Sequence, residues 1–223
     1  MLKSGAASIG LHLCENQLRQ FELYKDFLIE YNKKINLTRI CDEKDIVTKH
    51  FLDCLFCVPH ITNGSSVADV GTGAGFPGIV IKIALPEIKL TLIDSLMKRV
   101  KFLQRLADKL GLQGVEALHI RGEDAAKHKS FAERFDFVTS RAVASVDKLC
   151  DYQLPLVKRG GKAIMMKGVQ IEGELSAACK KIEGLGFYPA EKFIYTIPHS
   201  DISHCILSLE RKNRKKASNR TNR

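Results

Sequence analysis

The stretch that most limits what this chain can fold into is Val67-Ala68-Asp69-Val70-Gly71-Thr72-Gly73-Ala74-Gly75-Phe76-Pro77-Gly78. An apolar run of strand length enters a glycine-dense turn, and the turn leads straight into a second apolar segment. In an open α/β sheet this is how the first strand hands over to the first helix, with a small ligand lying across the turn. Glycine permits φ > 0 and lets the backbone approach a ligand where a Cβ would collide. Pro77 suits the first helical position, where its missing N–H is no loss.

Glycine spacing separates two ligands. A dinucleotide-binding turn reads G-x-G-x-x-G and needs glycine at position 76 after Gly71 and Gly73. Position 76 is Phe, and the third glycine comes one place early, at Gly75. The G-x-G-x-G form is that of S-adenosylmethionine-dependent methyltransferases, whose ligand has no pyrophosphate to seat on a helix N-terminus. The spacing disfavours NAD and favours S-adenosylmethionine as the cofactor.

A chain of 223 residues with 45% hydrophobic and 27% charged side chains can bury one substantial core. No apolar stretch is long enough to span a bilayer. Met1 to Gly10 lacks the basic flank and long apolar run of a secretory signal, so a cytoplasmic protein is expected. Seven cysteines, an odd number scattered along the chain, read as reduced thiols. Cys54 and Cys57 form a C-x-x-C amid Phe51, Leu52, Leu55, Phe56 and Val58, with no second Cys or His pair at zinc-finger spacing. Packing on a helix is expected there, and no metal. The formal charge is +10, and the Arg211–Arg223 stretch carries seven basic residues and no acidic one. Residues 211–223 are expected to form a disordered basic tail, suited to a polyanion such as RNA or serving solubility alone.

Periodicity gives the architecture. Leu18, Phe21, Leu28 and Tyr31 predict an amphipathic helix from Glu15 to about Asn32, and a second from Glu43 to Cys57 capped by Asp42. These make residues 1–60 a helical extension packed on a main domain at 61–210. Strand-length apolar runs follow at Val67–Val70, Leu90–Ile93, Val115–His119, Phe135–Thr139 and Ala163–Met166. Helical patterns at Gly78–Leu85, Met97–Leu110 and Val146–Leu154 alternate with them, which implies a mostly parallel sheet covered on both faces. After a helix near Gly173–Leu185, the runs Phe193–Ile197 and His204–Leu209 have no helix between them and should pair as an antiparallel hairpin at one edge. The expected fold is Rossmann-like α/β with seven strands, in the manner of class I S-adenosylmethionine-dependent methyltransferases.

Several residues fall where such a sheet does chemistry. Asp94 ends the second strand run, 23 residues after Gly71. A carboxylate there can accept from a ribose diol, with Ser95 capping the helix that follows. Gly122-Glu123 follows the third strand, beside the expected adenine. Arg141 ends the fourth, where it could bind the methionine carboxylate, hold a substrate phosphate, or pair with Asp136 or Asp69. Lys167 ends the fifth, placed for an RNA phosphate or a guanine carbonyl, or simply exposed. His50 reads either as a ligand or as a satisfied helix histidine.

Collected together, these residues resemble the glucose-inhibited division protein B family, the small-subunit (16S) ribosomal RNA guanine-N7 methyltransferases (RsmG). The resemblance rests on Asn36-Leu37-Thr38, His50-Phe51-Leu52-Asp53, the Asp69–Ile79 turn, Asp94–Arg99, Thr139–Ala144 and Lys167-Gly168. Cys54 departs from the serine often found after His-x-x-Asp. The resemblance implies S-adenosylmethionine contacts at Gly71, Gly73, Phe76, Asp94, Ser95, Leu96, Gly122, Glu123 and Arg141. It places Asn36, His50 and Lys167 on the side where RNA enters. The implied partner is small-subunit ribosomal RNA or the small ribosomal subunit. The implied reaction is in-line methyl transfer to guanine N7 with no covalent enzyme intermediate. Competing expectations are a methyltransferase acting on a small molecule or protein, a catalytically silent RNA-binding factor, and an NAD-dependent oxidoreductase.

Overall fold

The computed structural model describes residues 1–213, so most of the expected tail lies outside the described residues. Seven strands form one sheet in the order β3-β2-β1-β4-β5-β7-β6. They are β1 (Ser66–Val70), β2 (Lys89–Asp94), β3 (Val115–His119), β4 (Phe135–Arg141), β5 (Val157–Gly168), β6 (Glu191–Thr196) and β7 (Ser203–Glu210). The first five pair in parallel, and β7 runs antiparallel to both β5 and β6. The expected hairpin is present, with β7 inserted beside β5 so that β6 takes the edge. The strand order reverses at β1, with β2 on one side and β4 on the other, which opens a crevice at the carboxyl ends of those strands.

The helices are α1 (Leu2–Ser8), α2 (Glu15–Ile35), α3 (Glu43–Ile46), α4 (Asp53–Leu55), α5 (Gly78–Ala84), α6 (Met97–Lys109), α7 (Gly122–Lys127), α8 (Val146–Tyr152) and α9 (Glu172–Gly184). One face of the sheet buries a core that runs from Phe21, Tyr24 and Leu28 of α2 to Ile79 of α5 and Leu103 of α6. The other face packs on α7, α8 and α9 through Ala125, Leu149 and Ile182. The N-terminal helices thus share their core with the sheet. α6 shows why: Val100, Leu103 and Leu106 recur at helical spacing and are all buried, while Lys98, Lys101 and Arg105 face water. Tyr24 ties this layer to the glycine turn by donating to the Ala74 carbonyl at 2.6 Å. Losing that hydroxyl leaves a buried acceptor unpaired, at a cost of about 1–3 kcal/mol.

Three local expectations change. The second N-terminal helix is not one regular helix: α3 passes into a π-helical turn at Val47–Leu52 before α4. Such turns cluster at functional sites because they re-aim side chains. Ser95 does not cap α6; Asp94 accepts from the Leu96 N–H at 2.9 Å, and Ser95 is exposed. The basic end is anchored at its start, since Arg211 bonds Glu133 at 2.7 Å and the Lys212 N–H bonds the Gly186 carbonyl. Cys54 and Cys57 are fully buried, and burial pushes both thiols well up. Among the described residues no helix is long and apolar enough to cross a membrane.

Candidate active site

The strand ends build two adjoining cavities. The first, about 610 Å³, is lined by Thr38, His50, Asp53, Gly73, Phe76, Arg141, Lys167 and His204 among others. The second, about 490 Å³, is lined by Asp94, Ser95, Gly122, Glu123 and Tyr152 among others. They share Gly71, Arg99 and Ala142. A ligand with two dissimilar ends can lie across that junction.

The turn between β1 and α5 is held from beneath. Asp69, fully buried, accepts from the Gly78 N–H at 3.0 Å and from the Thr139 hydroxyl at 2.9 Å. Burial raises its carboxyl to about 6, against those hydrogen bonds. Asp94 grips the turn from the side, accepting from the Gly73 N–H at 2.9 Å. Gly73 has φ +60°, and a Cβ there would meet nothing nearer than the Gly71 carbonyl oxygen at 4.0 Å. The backbone therefore borders open space on the ligand side. Ala142 closes the opposite rim with φ +53°, a left-handed conformation uncommon for a residue with a Cβ.

Behind the turn lies a polar hub with an aromatic wall. Arg141 donates to Asp53 Oδ2 at 3.0 Å, to the Lys49 carbonyl at 3.0 Å and to His50 Nδ1 at 2.9 Å. Its guanidinium also sits 4.9 Å from the Phe76 ring centroid. A guanidinium only donates, so its 2.9 Å contact makes His50 Nδ1 an acceptor, over the longer 3.2 Å approach to the Lys49 carbonyl, and puts the His50 proton on Nε2, facing the Thr38 hydroxyl at 3.0 Å. Burial, and then the Arg141 charge, lower the His50 pKa to about 3. His50 is a neutral, satisfied ring stacked on Phe76 at 4.4 Å. Asp53 also accepts from the Tyr195 hydroxyl at 2.8 Å and from His204 Nδ1 at 2.9 Å. Burial opposes its charge, yet its partners, His204 first, hold the carboxyl below its ordinary value.

The structure sorts the residues singled out by sequence. Gly71, Gly73, Phe76, His50, Arg141 and Lys167 line the first cavity; Gly71, Asp94, Ser95, Gly122 and Glu123 line the second. Arg141 pairs with Asp53, not with Asp136 or Asp69. Lys167 is not a free cation: its ammonium bonds Glu174 at 2.8 Å and the Ala144 carbonyl at 2.9 Å. Asp94 already accepts from Gly73 and Leu96 and is 2% exposed, so it first serves to shape the turn. Leu96 and Asn36 line neither cavity. Asn36 instead ends α2 in a left-handed conformation at φ 49°, a role suited to Asn. Sequence reasoning did not single out Lys49, Arg99 or His204. Asp53 was visible only as the partner of His50 in His-x-x-Asp, a spacing that sets both on one helix face.

A match to the family described as rRNA small subunit methyltransferase G (GidB) covers residues 17–193. Ribosomal RNA small subunit methyltransferase G from Alkaliphilus metalliredigens is 43% identical over 95% of this chain and 89% of its own length. The chain belongs to this family. The relative from Alkaliphilus oremlandii is 45% identical with the same coverage, and that from Lactobacillus acidophilus is 43% identical over 91% of this chain and 86% of its own. Solved structures agree on the fold. A SAM-dependent O-methyltransferase from Thermotoga maritima superposes with a TM-score of 0.54 at 17% identity, covering 85% of this chain and 72% of its own. A tRNA (m1A58) methyltransferase from Aquifex aeolicus gives 0.56 at 12% identity, covering 73% and 69%. The sheet is that of a Rossmann-like methyltransferase.

Proposed function

We propose that this protein transfers the methyl group of S-adenosylmethionine to N7 of a guanine in small-subunit (16S) ribosomal RNA. Membership of the family over residues 17–193 carries the reading. The site fits the cofactor: the Gly73 Cβ direction is empty, and two cavities meet at Gly71. When bound, S-adenosylmethionine supplies a sulfonium-activated methyl group. Gly71 and Gly73 would hold its central part, Ser95, Gly122 and Glu123 the nucleoside end. The remaining space beside Thr38, Arg141 and His204 takes the target base.

Guanine N7 carries a lone pair and no proton, so the chain has no proton to remove from the nucleophile. Its task is alignment, which in well-oriented systems supplies roughly 7–11 kcal/mol. His50 matches that division of labour: both its nitrogens are engaged, and its neutral ring braces Phe76. The Arg141–Asp53 pair fixes β4 against α4, so the rim keeps its shape as RNA enters. N7 lies on the major-groove edge, which an A-form helix hides, so the target guanine is one that is unpaired or splayed out. With ribosomal RNA, naked or in the small subunit, as substrate, the protein would act in the cytoplasm.

The test is incubation with methyl-labelled S-adenosylmethionine and either naked 16S RNA or small subunits, followed by nucleoside analysis. Label in 7-methylguanosine is expected. Label in a small molecule or protein without RNA, or none with either substrate, overturns the reading.

A further inference from the structure

The start of β7 brings to the first cavity a side chain that the methyl transfer described above leaves unused. His204 lies in register with Gly168 at the end of β5 and with Tyr195 of β6, and it lines the cavity. Its Nδ1 bonds Asp53 Oδ1 at 2.9 Å. Asp53 is 2% exposed and His204 35% exposed. The buried carboxylate thus clamps one edge of the ring and turns the other, carrying Nε2, toward the open side. Among the described residues nothing hydrogen-bonds that Nε2.

An ionised carboxylate only accepts, so Nδ1 carries a proton. A neutral ring would then present a lone pair at Nε2, whereas the imidazolium presents an N–H. The surrounding charges decide between them. Asp53, from α4, favours the cation, and Arg141, from β4, opposes it. Tyr195, from β6, donates to the same Asp53 oxygen. Lys167, from β5, is neutralised by Glu174, and His50 is uncharged. The balance raises the His204 pKa, through the hydrogen bond to Asp53 first.

The base edge that carries N7 supplies the complement. Guanine shows two acceptors there, N7 and O6, whereas adenine shows N7 and the N6 amino donor. A fixed donor aimed at the neighbour of N7 accepts guanine and rejects adenine, and it leaves the N7 lone pair for the methyl group. We propose that His204, as an imidazolium, is this specificity-determining donor and hydrogen-bonds O6 of the target guanine. The inference rests on the guanine-N7 reading above and deepens it. The proton stays on His204 throughout; no proton transfer accompanies the methyl transfer.

The experiment compares wild type, His204→Gln and His204→Ala in single-turnover methylation of small subunits across roughly pH 6 to 9, the range in which a histidine changes charge. The His204 ring is titrated in parallel by NMR, and S-adenosylmethionine affinity and thermal midpoint are measured for each variant. Wild-type kcat/KM is expected to fall as pH rises through the NMR-measured pKa of His204. His204→Ala should lose roughly tenfold to a hundredfold at low pH, the worth of one charged hydrogen bond, with unchanged cofactor affinity. His204→Gln, which keeps an N–H donor, should recover part of that loss and show a flat profile. Should His204→Ala fold poorly, the glutamine variant and the ring titration still decide. Wild-type levels and profile in both variants, or a ring titrating at or below the ordinary histidine value, overturn the inference alone. Absence of 7-methylguanosine with wild type overturns the guanine reading and this inference with it.

Discussion

Arg141→Met probes how the rim of the site is held together. The substitution keeps a long apolar stem and deletes the guanidinium. It removes bonds to Asp53, His50 Nδ1 and the Lys49 carbonyl, each 2.9–3.0 Å long, and the contact on the Phe76 ring. Asp53 remains charged and 2% exposed, with only Tyr195 and His204 to answer it. Breaking a buried ion pair by removing one partner costs about 3–5 kcal/mol, because the other charge is stranded. A stability loss in that range is expected from urea unfolding followed by circular dichroism. The double variant Arg141→Met/Asp53→Asn has no stranded charge and should be more stable than Arg141→Met alone, a coupling of about 1 kcal/mol or more. A loss below about 1 kcal/mol, or strict additivity of the two substitutions, would show that the pair does not hold β4 to α4.

Gly78→Ala places a Cβ 2.7 Å from Leu92 Cδ2 and 2.9 Å from Asp69 Oδ2, both buried, so overpacking should cost about 1–3 kcal/mol in the same unfolding assay. His50 is neutral when folded and titrates at 6.5 when unfolded. Its contribution is therefore full above that pH and is lost as pH falls toward about 3, by up to ~1.4 kcal/mol per unit. His50→Gln should flatten the acid side of the stability curve, and an unchanged slope would contradict the assignment. Deleting residues 214–223 removes five basic residues. If they meet RNA phosphates, the slope of log K against log[salt] should shrink by up to roughly 0.7 per contact; an identical slope leaves them a solubility element.

The glycine turn and the strand rhythm were legible in the sequence because both are local. Each strand run was short, apolar and bounded, and the missing helix before β7 gave away the antiparallel pair. The interruption of the second N-terminal helix was not legible, since Val47–Leu52 keeps an ordinary helical pattern and only tertiary contacts settle its π turn. α1 and α7, each a couple of turns or less, fell below what periodicity resolves. The hub was hidden for a different reason. Arg141 meets residues 88 to 92 positions away, and His204 meets Asp53 across 151. No spacing rule reaches that far, so an ion pair for Arg141 could be offered only with Asp136 or Asp69, and its partner in the fold is Asp53. Asn36 shows the converse: its place in a motif drew attention, and its left-handed backbone explains it.

The most direct measurement is mass-spectrometric mapping of 7-methylguanosine in small-subunit RNA from cells lacking this protein, complemented with wild type or with Gly73→Val. The valine side chain would enter the open space beside a backbone at φ +60°. Restoration of one methylated guanine by wild type and not by Gly73→Val is the expected result. Methylation that persists without the protein, or that the valine variant restores in full, would contradict the account.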